Sequence, residues 1–446
     1  MGRWNRYTPD GVQDILPDLC REKRELEQVL RAHLIVSGYS EIETPAIEFF
    51  DVFDNDTARI PQETMFKFFD RDGRILVLRP DFTVPVARMA ATRLTGKADY
   101  PARLFYIGDT FRFEESGGGK KNQFTQAGLE LLGAGGVRAD AEVIAQAVEC
   151  LKKAGLKEFR MDIGQVEFFK AIMQEAGFSP SDMEEVRKRI DRKDDPGLRE
   201  LACTRDMDPR IRELVLKLPH LCGSPDLLDS LREAPLNERA SRALDNLAGI
   251  FGLLKGMGLS DSVSMDLGMV SSLQYYTGMI FKGFTRGIGY PVLSGGRYDS
   301  LMGTFGRECP ATGFSIGINL LMTARDKAGR SSGRFSEKDA NPEKEDNIPC
   351  GARSSRTEFL VAWPEAESMA GLLSCLREQG RIAEADIMGM GPDEALAYAK
   401  ARGIPWVLRL NRDRRIEAIR SRDGCRRPLS EAWPTAPVRE EWSCDT

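Results

Sequence analysis

Two strand-like segments flank a polar, glycine-rich loop in the first third of the chain. Aromatic and β-branched residues dominate 104–113 and 123–131, whereas consecutive glycines and lysines occupy the stretch between them. This arrangement predicts a long β-hairpin with a polar loop over 114–122. We expect the rest of the chain to be organised around this hairpin.

One face of the predicted hairpin carries three polar side chains. Because successive side chains of a strand alternate between its faces, Arg112, Gln126 and Glu130 can share one side of the sheet. Buried without partners, each would cost roughly several kcal/mol. The face is therefore either the solvated surface of an antiparallel sheet or the floor of a site for a small zwitterionic ligand. The pattern alone leaves both alternatives open.

The segments before the hairpin alternate between helical and strand-like spacing. Apolar residues recur at helical intervals over 17–37, and Gly38 provides a natural stop. The further elements predicted there are a strand and turn over 39–50, a loop over 51–64, a hairpin with strands 66–69 and 75–78, and a helix over 83–94.

The region after the hairpin is predicted to be largely helical before strands return. Helical spacing without strand signals extends over 166–256, and glycine and proline residues divide it into short helices. We interpret this region as an inserted helical subdomain. The other predicted elements are a helix over 140–154, strands over 159–163, 263–267, 279–284 and 290–293, a tight glycine-bearing corner at Gly295–Asp299, and a strand over 314–318 that leads into a helix from Asn319.

The last part of the chain forms a separate predicted unit. Residues 329–356 are poor in apolar types and rich in Ser, Asp, Glu and Lys, which is typical of a linker. Strands alternate with helices over 357–446, which predicts a small C-terminal α/β domain after a main domain over 1–328. Acidic residues are interleaved with the arginines of the final strands, which favours a solvated strand face over nucleic-acid binding.

Composition restricts the possible chemistry. Of the 446 residues, 41% are apolar and 29% are charged, and the net charge is −5, as in an ordinary globular protein. No apolar run reaches membrane-helix length, and the start lacks an apolar signal core. Nine scattered cysteines without a CxxC pair suit a reducing cytoplasm and argue against a structural zinc site. Only two histidines, His33 and His220, nearly exclude histidine-based triads and multi-histidine metal sites.

Several sequence blocks carry a family resemblance. Phe111-Arg-Phe-Glu114, followed after a variable loop by Phe124-Thr-Gln126, resembles motif 2 of class II aminoacyl-tRNA synthetases, and the histidyl-tRNA synthetases are the most similar among them. The resemblance covers about residues 8–323 and implies an α+β fold, with an antiparallel sheet and flanking helices. The other similar blocks, in the order of that family, are 8–17, motif 1 at 38–45, the amino-acid-binding strand at 78–83, the histidine-enzyme blocks at 273–278 and 293–299, and the start of motif 3 at 313–317.

Three positions depart from the synthetase pattern in the same way. Leu320 stands where motif 3 has the arginine that binds ATP, and Ser271 stands where the histidine enzymes have an arginine beside the substrate carboxylate. Glu115 takes the place of a basic residue in motif 2. Loss of one such cation typically costs a few kcal/mol in the transition state, or about 100-fold in rate. The combined losses argue against adenylation.

The amino-acid pocket implied by the resemblance is largely retained. Asp81 keeps the charge of the family's glutamate beside the substrate amine, but Gln274 replaces a usual aspartate. Buried core aromatics remain an alternative explanation for the two tyrosines of this set. The residues that the resemblance assigns to histidine binding are Asp81, Thr83, Arg112, Gln126, Glu130, Tyr275 and Tyr276.

A synthetase-like body without these cations resembles the regulatory subunits of short-form ATP phosphoribosyltransferase. Those proteins are histidyl-tRNA synthetase paralogues that associate with a small catalytic subunit in the first step of histidine biosynthesis. The resemblance implies a non-catalytic cytoplasmic protein that activates its partner and contributes to histidine feedback control. It also implies a hetero-oligomer and a dimer formed through 17–50, with no cofactor or metal. An active histidyl-tRNA synthetase is the alternative.

Overall fold

In the computed structural model, the described residues are 6–54, 60–96, 99–113, 121–234, 236–270, 276–331, 357–362, 366–410 and 416–428. The helices are α1 Pro17–Val36, α2 Thr83–Arg93, α3 Gly136–Lys153, α4 Val166–Glu175, α5 Pro180–Asp191, α6 Asp195–Cys203, α7 Pro209–Lys217, α8 Leu227–Arg232, α9 Glu238–Gly256, α10 Ile318–Ser331, α11 Ala366–Glu378 and α12 Pro392–Arg402. The strands are β1 Ser40–Glu41, β2 Ile47–Phe49, β3 Lys67–Phe69, β4 Ile75–Leu78, β5 Ala102–Phe111, β6 Gln123–Leu132, β7 Phe159–Gln165, β8 Cys222–Gly223, β9 Val263–Asp266, β10 Met279–Thr285, β11 Leu293–Arg297, β12 Ala311–Gly317, β13 Phe359–Ala362, β14 Ala383–Ala385, β15 Trp406–Leu410, β16 Ile416–Arg420 and β17 Arg426–Pro428.

Helix α1 forms where the apolar spacing predicts it. Leu26, Leu30 and Leu34 recur at four-residue intervals and are buried along one face, since such residues lie above one another on a helix. The chain leaves the helix through Gly38, whose φ of +86° lies in the left-handed region that favours glycine. None of the described helices combines the length and apolar composition needed to cross a bilayer.

The predicted hairpin is confirmed as the pair β5 and β6 in a nine-stranded sheet. The two strands pair antiparallel from Ala102 opposite Leu132 to Phe111 opposite Gln123. Across the sheet the strands run in the order β1-β5-β6-β12-β11-β10-β7-β9-β8. Most neighbours are antiparallel, and the pairs β1–β5 and β7–β9 are parallel. This is the α+β sheet that the resemblance implies.

Alternation along the hairpin separates two apolar cores. Phe105 and Leu129 point to one face and pack in a large cluster with α1, α3 and α9. Leu104 and Tyr106 point to the other face and pack with α2 and with residues of the small sheet β2-β4-β3. The sheet is therefore covered on both sides, and polar groups on its second face lie in the interior.

Glycines of β11 overturn one local prediction. The sequence suggested a strand over 290–293 followed by a tight corner at Gly295–Asp299, whereas the strand spans Leu293–Arg297. A Cβ on Gly295 would overlap the Phe281 ring, and a Cβ on Gly296 would lie 2.6 Å from the Tyr276 ring. The glycines are needed for close packing of aromatic rings over a straight strand, not for a turn.

Residues 166–256, interpreted above as a helical insertion, form α4 to α9. The short strand β8 pairs with β9 and attaches the insertion to the edge of the main sheet.

Helix α3 begins at Gly136, four residues before the predicted start at Asp140. The positive φ of Gly136, +81°, lets the chain enter the helix there.

The C-terminal unit is an α/β domain, as predicted, with a five-stranded sheet in the order β14-β13-β15-β16-β17. Strand β14, Ala383–Ala385, was not predicted because three small or charged residues carry no strand signal. Helix α10 extends to Ser331, three residues into the predicted linker 329–356, and 332–356 lie outside the described residues. The domain boundaries therefore remain predictions.

Candidate ligand site

The Glu130 carboxyl is the centre of a buried polar cluster on the second face of the sheet. Glu130 is 1% exposed and accepts hydrogen bonds from three hydroxyls. Thr83 Oγ1 and Tyr106 Oη donate to Oε1 over 2.9 and 3.3 Å, and Tyr298 Oη donates to Oε2. Strand, helix and loop thus converge on one carboxyl group.

Aromatic stacking positions the Tyr106 hydroxyl. The Tyr106 ring lies 4.2 Å from the Phe82 ring at an interplanar angle of 11°. The guanidinium of Arg79 lies 4.0 Å from the centre of the Phe82 ring. A Cβ on Gly128, which is directly across the ladder from Tyr106, would overlap the Tyr106 hydroxyl. The missing side chain at Gly128 therefore lets the tyrosine lie flat over β6.

Asp81 is a second, partly buried carboxyl in this region. Its Oδ1 accepts a hydrogen bond from the backbone N–H of Val84 over 3.2 Å at the start of α2. Burial raises the pKa of Asp81 to about 6, and this hydrogen bond and the positive charge of Arg112 oppose the rise. Burial likewise raises the pKa of Glu130 to about 8, with the Asp81 charge adding to the effect and the three hydroxyls opposing it. Desolvation disfavours the charged carboxylate, so Glu130 is largely protonated at neutral pH.

The register places Gln126 and Glu130 on one face, as predicted, and the Arg112 guanidinium lies 5.4 Å from the centre of the Phe124 ring, which shares their strand parity. Glu130 is opposite Leu104 and Gln126 is opposite Gly108, and the Arg112 N–H donates to the Asn122 carbonyl over 2.9 Å. Gln126 Oε1 is buried and has no hydrogen-bond partner among the described residues. An unpaired buried amide oxygen is costly, and a ligand N–H would satisfy it.

Of the two tyrosines of the predicted pocket, Tyr276 is among the described residues and Tyr275 is not. Tyr276 is 8% exposed and packs with the apolar core of the second face. Its carbonyl accepts a hydrogen bond from Lys170 Nζ of α4 over 3.3 Å, which links the helical insertion to this segment. Tyr275 lies outside the described residues, as do Ser271 and Gln274.

Sequence reasoning missed two residues of the cluster, Tyr106 and Tyr298. Tyr298 belongs to the 293–299 block, but its position in the chain gave no sign that its hydroxyl reaches Glu130. Tyr106 has the same strand parity as Arg112, and this was the one signal that could have placed it on the polar face. Both tyrosines contact the carboxyl that the resemblance assigns to the ligand.

The position of the missing ATP-binding arginine is filled by packing. Leu320, in the first turn of α10, is partly buried against the large apolar core, and its Cδ1 would lie 3.1 Å from a Cβ on Gly317. Its neighbour Asn319 accepts a hydrogen bond from the Thr125 N–H over 2.9 Å. Glu115, the third departure, lies outside the described residues. The motif 3 arginine position is therefore occupied by a packed leucine, and the polar groups around Glu130 are two carboxyls, hydroxyls, an amide and a guanidinium.

Comparison with known proteins identifies the class first. Residues 11–321 match the family model described as histidyl-tRNA synthetase, and the sheet described above is the fold of that class. A solved structure described as an ATP phosphoribosyltransferase regulatory subunit/histidyl-tRNA synthetase from Bacillus halodurans superposes with a TM-score of 0.68 and 29% identity, covering 89% of this chain and 97% of that one.

Curated relatives identify the family within this class. The ATP phosphoribosyltransferase regulatory subunit of Acetivibrio thermocellus is 48% identical over 94% of this chain and 95% of its own length. The regulatory subunit of Ruminiclostridium cellulolyticum is 47% identical over 92% and 93%. The chain belongs to the family of ATP phosphoribosyltransferase regulatory subunits.

Proposed function

We propose that this chain is a non-catalytic subunit that activates a separate ATP phosphoribosyltransferase catalytic subunit in histidine biosynthesis, and that histidine binds at the Glu130 cluster. One observation carries the proposal: polar groups surround the buried Glu130 carboxyl, while Leu320 packs at the position where a synthetase has a cation for ATP. Ligand recognition without reaction chemistry suits a sensor.

The chemistry of the cluster matches the functional groups of histidine. Asp81 and Glu130 offer acceptors to an ammonium group and an imidazole N–H, and Arg112 offers a cation to a carboxylate. The unpaired Gln126 Oε1 offers a further acceptor.

Regulation requires that histidine binds two states of the assembly unequally. In the proposed mechanism, the catalytic subunit turns over faster in the complex, and histidine favours a less active arrangement. Formation of phosphoribosyl-ATP, measured at steady state with and without this chain, tests the first part. Turnover should rise with this chain, and the mixture should become more sensitive to histidine than the catalytic subunit alone. Equal turnover in both cases, with separate elution from a sizing column, would contradict the proposal.

Calorimetric titration of the complex with histidine tests the binding site. Replacement of Glu130 or Tyr276 by alanine should weaken binding by about 1–3 kcal/mol, because polar ligand groups would lose buried partners. Glu149→Ala, which removes an exposed carboxylate of α3 paired with Lys152, is the matched control and should bind as the parent does. Unchanged affinity for histidine in both site variants would show that histidine binds at another site.

We also propose that the chain self-associates through one face of the small sheet. The register of β2, β4 and β3 places an apolar set of side chains on that face, and Ile47 and Phe49 are 49% and 47% exposed. Exposed apolar faces of this kind favour burial against another protein surface. The residues of this face are Ile47, Phe49, Phe68, Leu76 and Leu78.

Light scattering on a sizing column tests the dimer. Phe49→Ser should shift the population towards monomer at micromolar concentration. Phe69→Ser removes an aromatic ring that is 71% exposed on the opposite face of the same sheet, and should leave the mass unchanged. Equal masses for the parent and both variants would contradict the proposed interface.

The remaining predictions complete the proposal. We propose a main domain over 1–328, a linker over 329–356 and a C-terminal domain over 357–446, acting together in the cytoplasm. The nine cysteines are widely scattered and include no CxxC pair, which supports a reducing location.

A further inference from the structure

A buried guanidinium joins the main domain to the C-terminal domain. The Arg103 side chain of β5 is 1% exposed and lies between two carboxylates. Its Nε and one terminal nitrogen donate to Glu142 of α3 over 3.3 and 3.2 Å. The other terminal nitrogen donates to Glu384 of β14 over 3.3 Å, and a further bond of 2.9 Å reaches the Ala385 carbonyl. One cation thus bridges a carboxylate from each domain.

Both carboxylates accept further hydrogen bonds from hydroxyl groups. Tyr39 Oη donates to Glu142 over 3.1 Å. Thr357 and Tyr398 donate their hydroxyls to Glu384 from within the C-terminal domain. Among the described residues, Arg103 is the cation that lies within ion-pair distance of Glu384. The C-terminal carboxylate therefore depends on the main domain for its counterion.

Steric fit supports the same docked arrangement at two glycines. A Cβ on Gly38, at the end of α1, would lie 2.5 Å from Glu384 Cγ. A Cβ on Gly389 would lie 3.3 Å from the guanidinium of Arg138 at the start of α3. The apolar core is also continuous across the junction, since residues of α11 and β13 belong to the cluster that contains α3 and α9. Each domain thus presents a glycine to a charged side chain of the other.

Arg103 and the candidate ligand site lie on opposite faces of the same two strands. Arg103 pairs with Leu131, and the next residue, Leu104, pairs with Glu130. Because side chains alternate, Glu130 projects into the polar cluster while Arg103 projects towards the C-terminal domain. A shift of β5 relative to β6 would therefore displace side chains on both faces of the sheet.

We propose that Arg103 is an electrostatic lock that fixes the C-terminal domain in one arrangement on the back of the ligand-binding strands. The domain is then a rigid part of the regulatory body and not a hinged arm. The docked C-terminal domain also stabilises the geometry of the Glu130 cluster on the other face of the strands. This second claim rests on the proposed histidine site.

The lock works because a buried charge needs its counterion. Replacing Arg103 by methionine leaves two carboxylates facing each other without their shared cation, and undocking then rehydrates Glu384. Glu384→Gln leaves Arg103 with one carboxylate instead of two. The double variant removes one positive and one negative charge together, so it should dock better than Arg103→Met alone.

Hydrogen exchange and small-angle X-ray scattering on the full chain test the lock. Both single variants should exchange amides of 33–39 and 138–146 about tenfold faster than the parent and should show a larger radius of gyration. The double variant should recover part of both changes. Glu358→Gln, which removes the partner of Arg381 inside the C-terminal domain, should behave as the parent. Unchanged exchange at α5 to α7 in every variant verifies that the main domain remains folded.

Parental exchange and scattering in both single variants would overturn the lock. Titration with histidine tests the coupling between docking and ligand binding. The affinity for histidine should fall several-fold in Arg103→Met and recover in part in the double variant. Equal affinity in a variant shown to be undocked would overturn the coupling between docking and ligand binding. A parent that binds no histidine would instead refute the proposed ligand, and scattering and exchange would still decide the lock.

Discussion

The carboxyl of Glu130 lies against the α-carbon of Gly313, its partner across the β6–β12 ladder. A Cβ on Gly313 would overlap Glu130 Oε2 and the Leu129 carbonyl oxygen. The absence of one side chain on the neighbouring strand therefore makes room for a buried carboxyl in the middle of a sheet.

Gly313→Ala should disrupt this arrangement. Because one of the two overlapping atoms belongs to the backbone, the carboxyl and the strand must both move, and overpacking of this kind costs about 1–3 kcal/mol. Urea unfolding should show the loss, and calorimetry should show weaker histidine binding. Gly252→Ala, in α9 with no atom within 4 Å of the added Cβ, should leave both unchanged or raise stability slightly. Parental stability in Gly313→Ala would mean that the strand relaxes freely.

The raised pKa of Glu130 predicts a dependence of stability on pH. Burial raises the pKa from 4.5 to about 8, so the folded state holds a proton that the unfolded state releases. The contribution of Glu130 to the free energy of unfolding is fully present below about pH 4.5. It is lost as the pH rises through 8, at a rate of up to about 1.4 kcal/mol per pH unit. Relative to the parent, Glu130→Gln should therefore gain stability as pH rises from 5 to 8 in urea titrations. A constant difference between the two proteins across this range would show that Glu130 is charged when folded.

Histidine binding should release a proton from the same carboxyl. An ammonium or imidazolium group favours the carboxylate form, so the complex should hold fewer protons than the free protein at pH 7. Calorimetry in buffers of different ionisation enthalpy measures the release, expected to approach one proton per site. Glu130→Gln should remove most of it, and Glu149→Gln should not. An equal release from the parent and Glu130→Gln would assign the proton to another group.

His33 should contribute the opposite pH dependence at the domain junction. Burial lowers its pKa from 6.5 to about 4, with the charges of Arg377 and Lys153 acting in the same direction and the Gln146 side chain opposing them. The unfolded state binds a proton that the folded state does not, so stability falls as pH drops from about 6.5 to 4. His33→Gln should lose less stability over this range. His220→Gln, which removes the exposed histidine beside Asp195, controls for the general effect of losing a histidine.

The chain should not form histidyl-adenylate. With histidine, ATP and magnesium, exchange of pyrophosphate into ATP should stay at background, because the motif 3 arginine position holds Leu320. Leu320→Arg alone should not restore exchange, since Ser271 and Glu115 still lack their cations. An active histidyl-tRNA synthetase is the positive control. Robust exchange by the parent chain would favour the synthetase alternative.

Local periodicity let the sequence determine much of the fold. The helix α1 and the strands β5 and β6 follow directly from the spacing of apolar residues, because each period fixes which side chains share a face. The same parity correctly grouped Gln126 and Glu130, and it agrees with the contact between the Arg112 guanidinium and the Phe124 ring. Motif order supplied the class of fold, since several blocks recur in the sequence of one family.

Tertiary structure alone decided how distant residues meet. Tyr298 reaches Glu130 from a position 168 residues away, and Glu384 reaches Arg103 across 281 residues, so no local pattern could pair them. Gly295 and Gly296 resemble a turn in sequence, yet they lie in a strand because aromatic rings from other segments occupy the space above them. Periodicity constrains the direction of a side chain, whereas its partner depends on the packing of the whole chain.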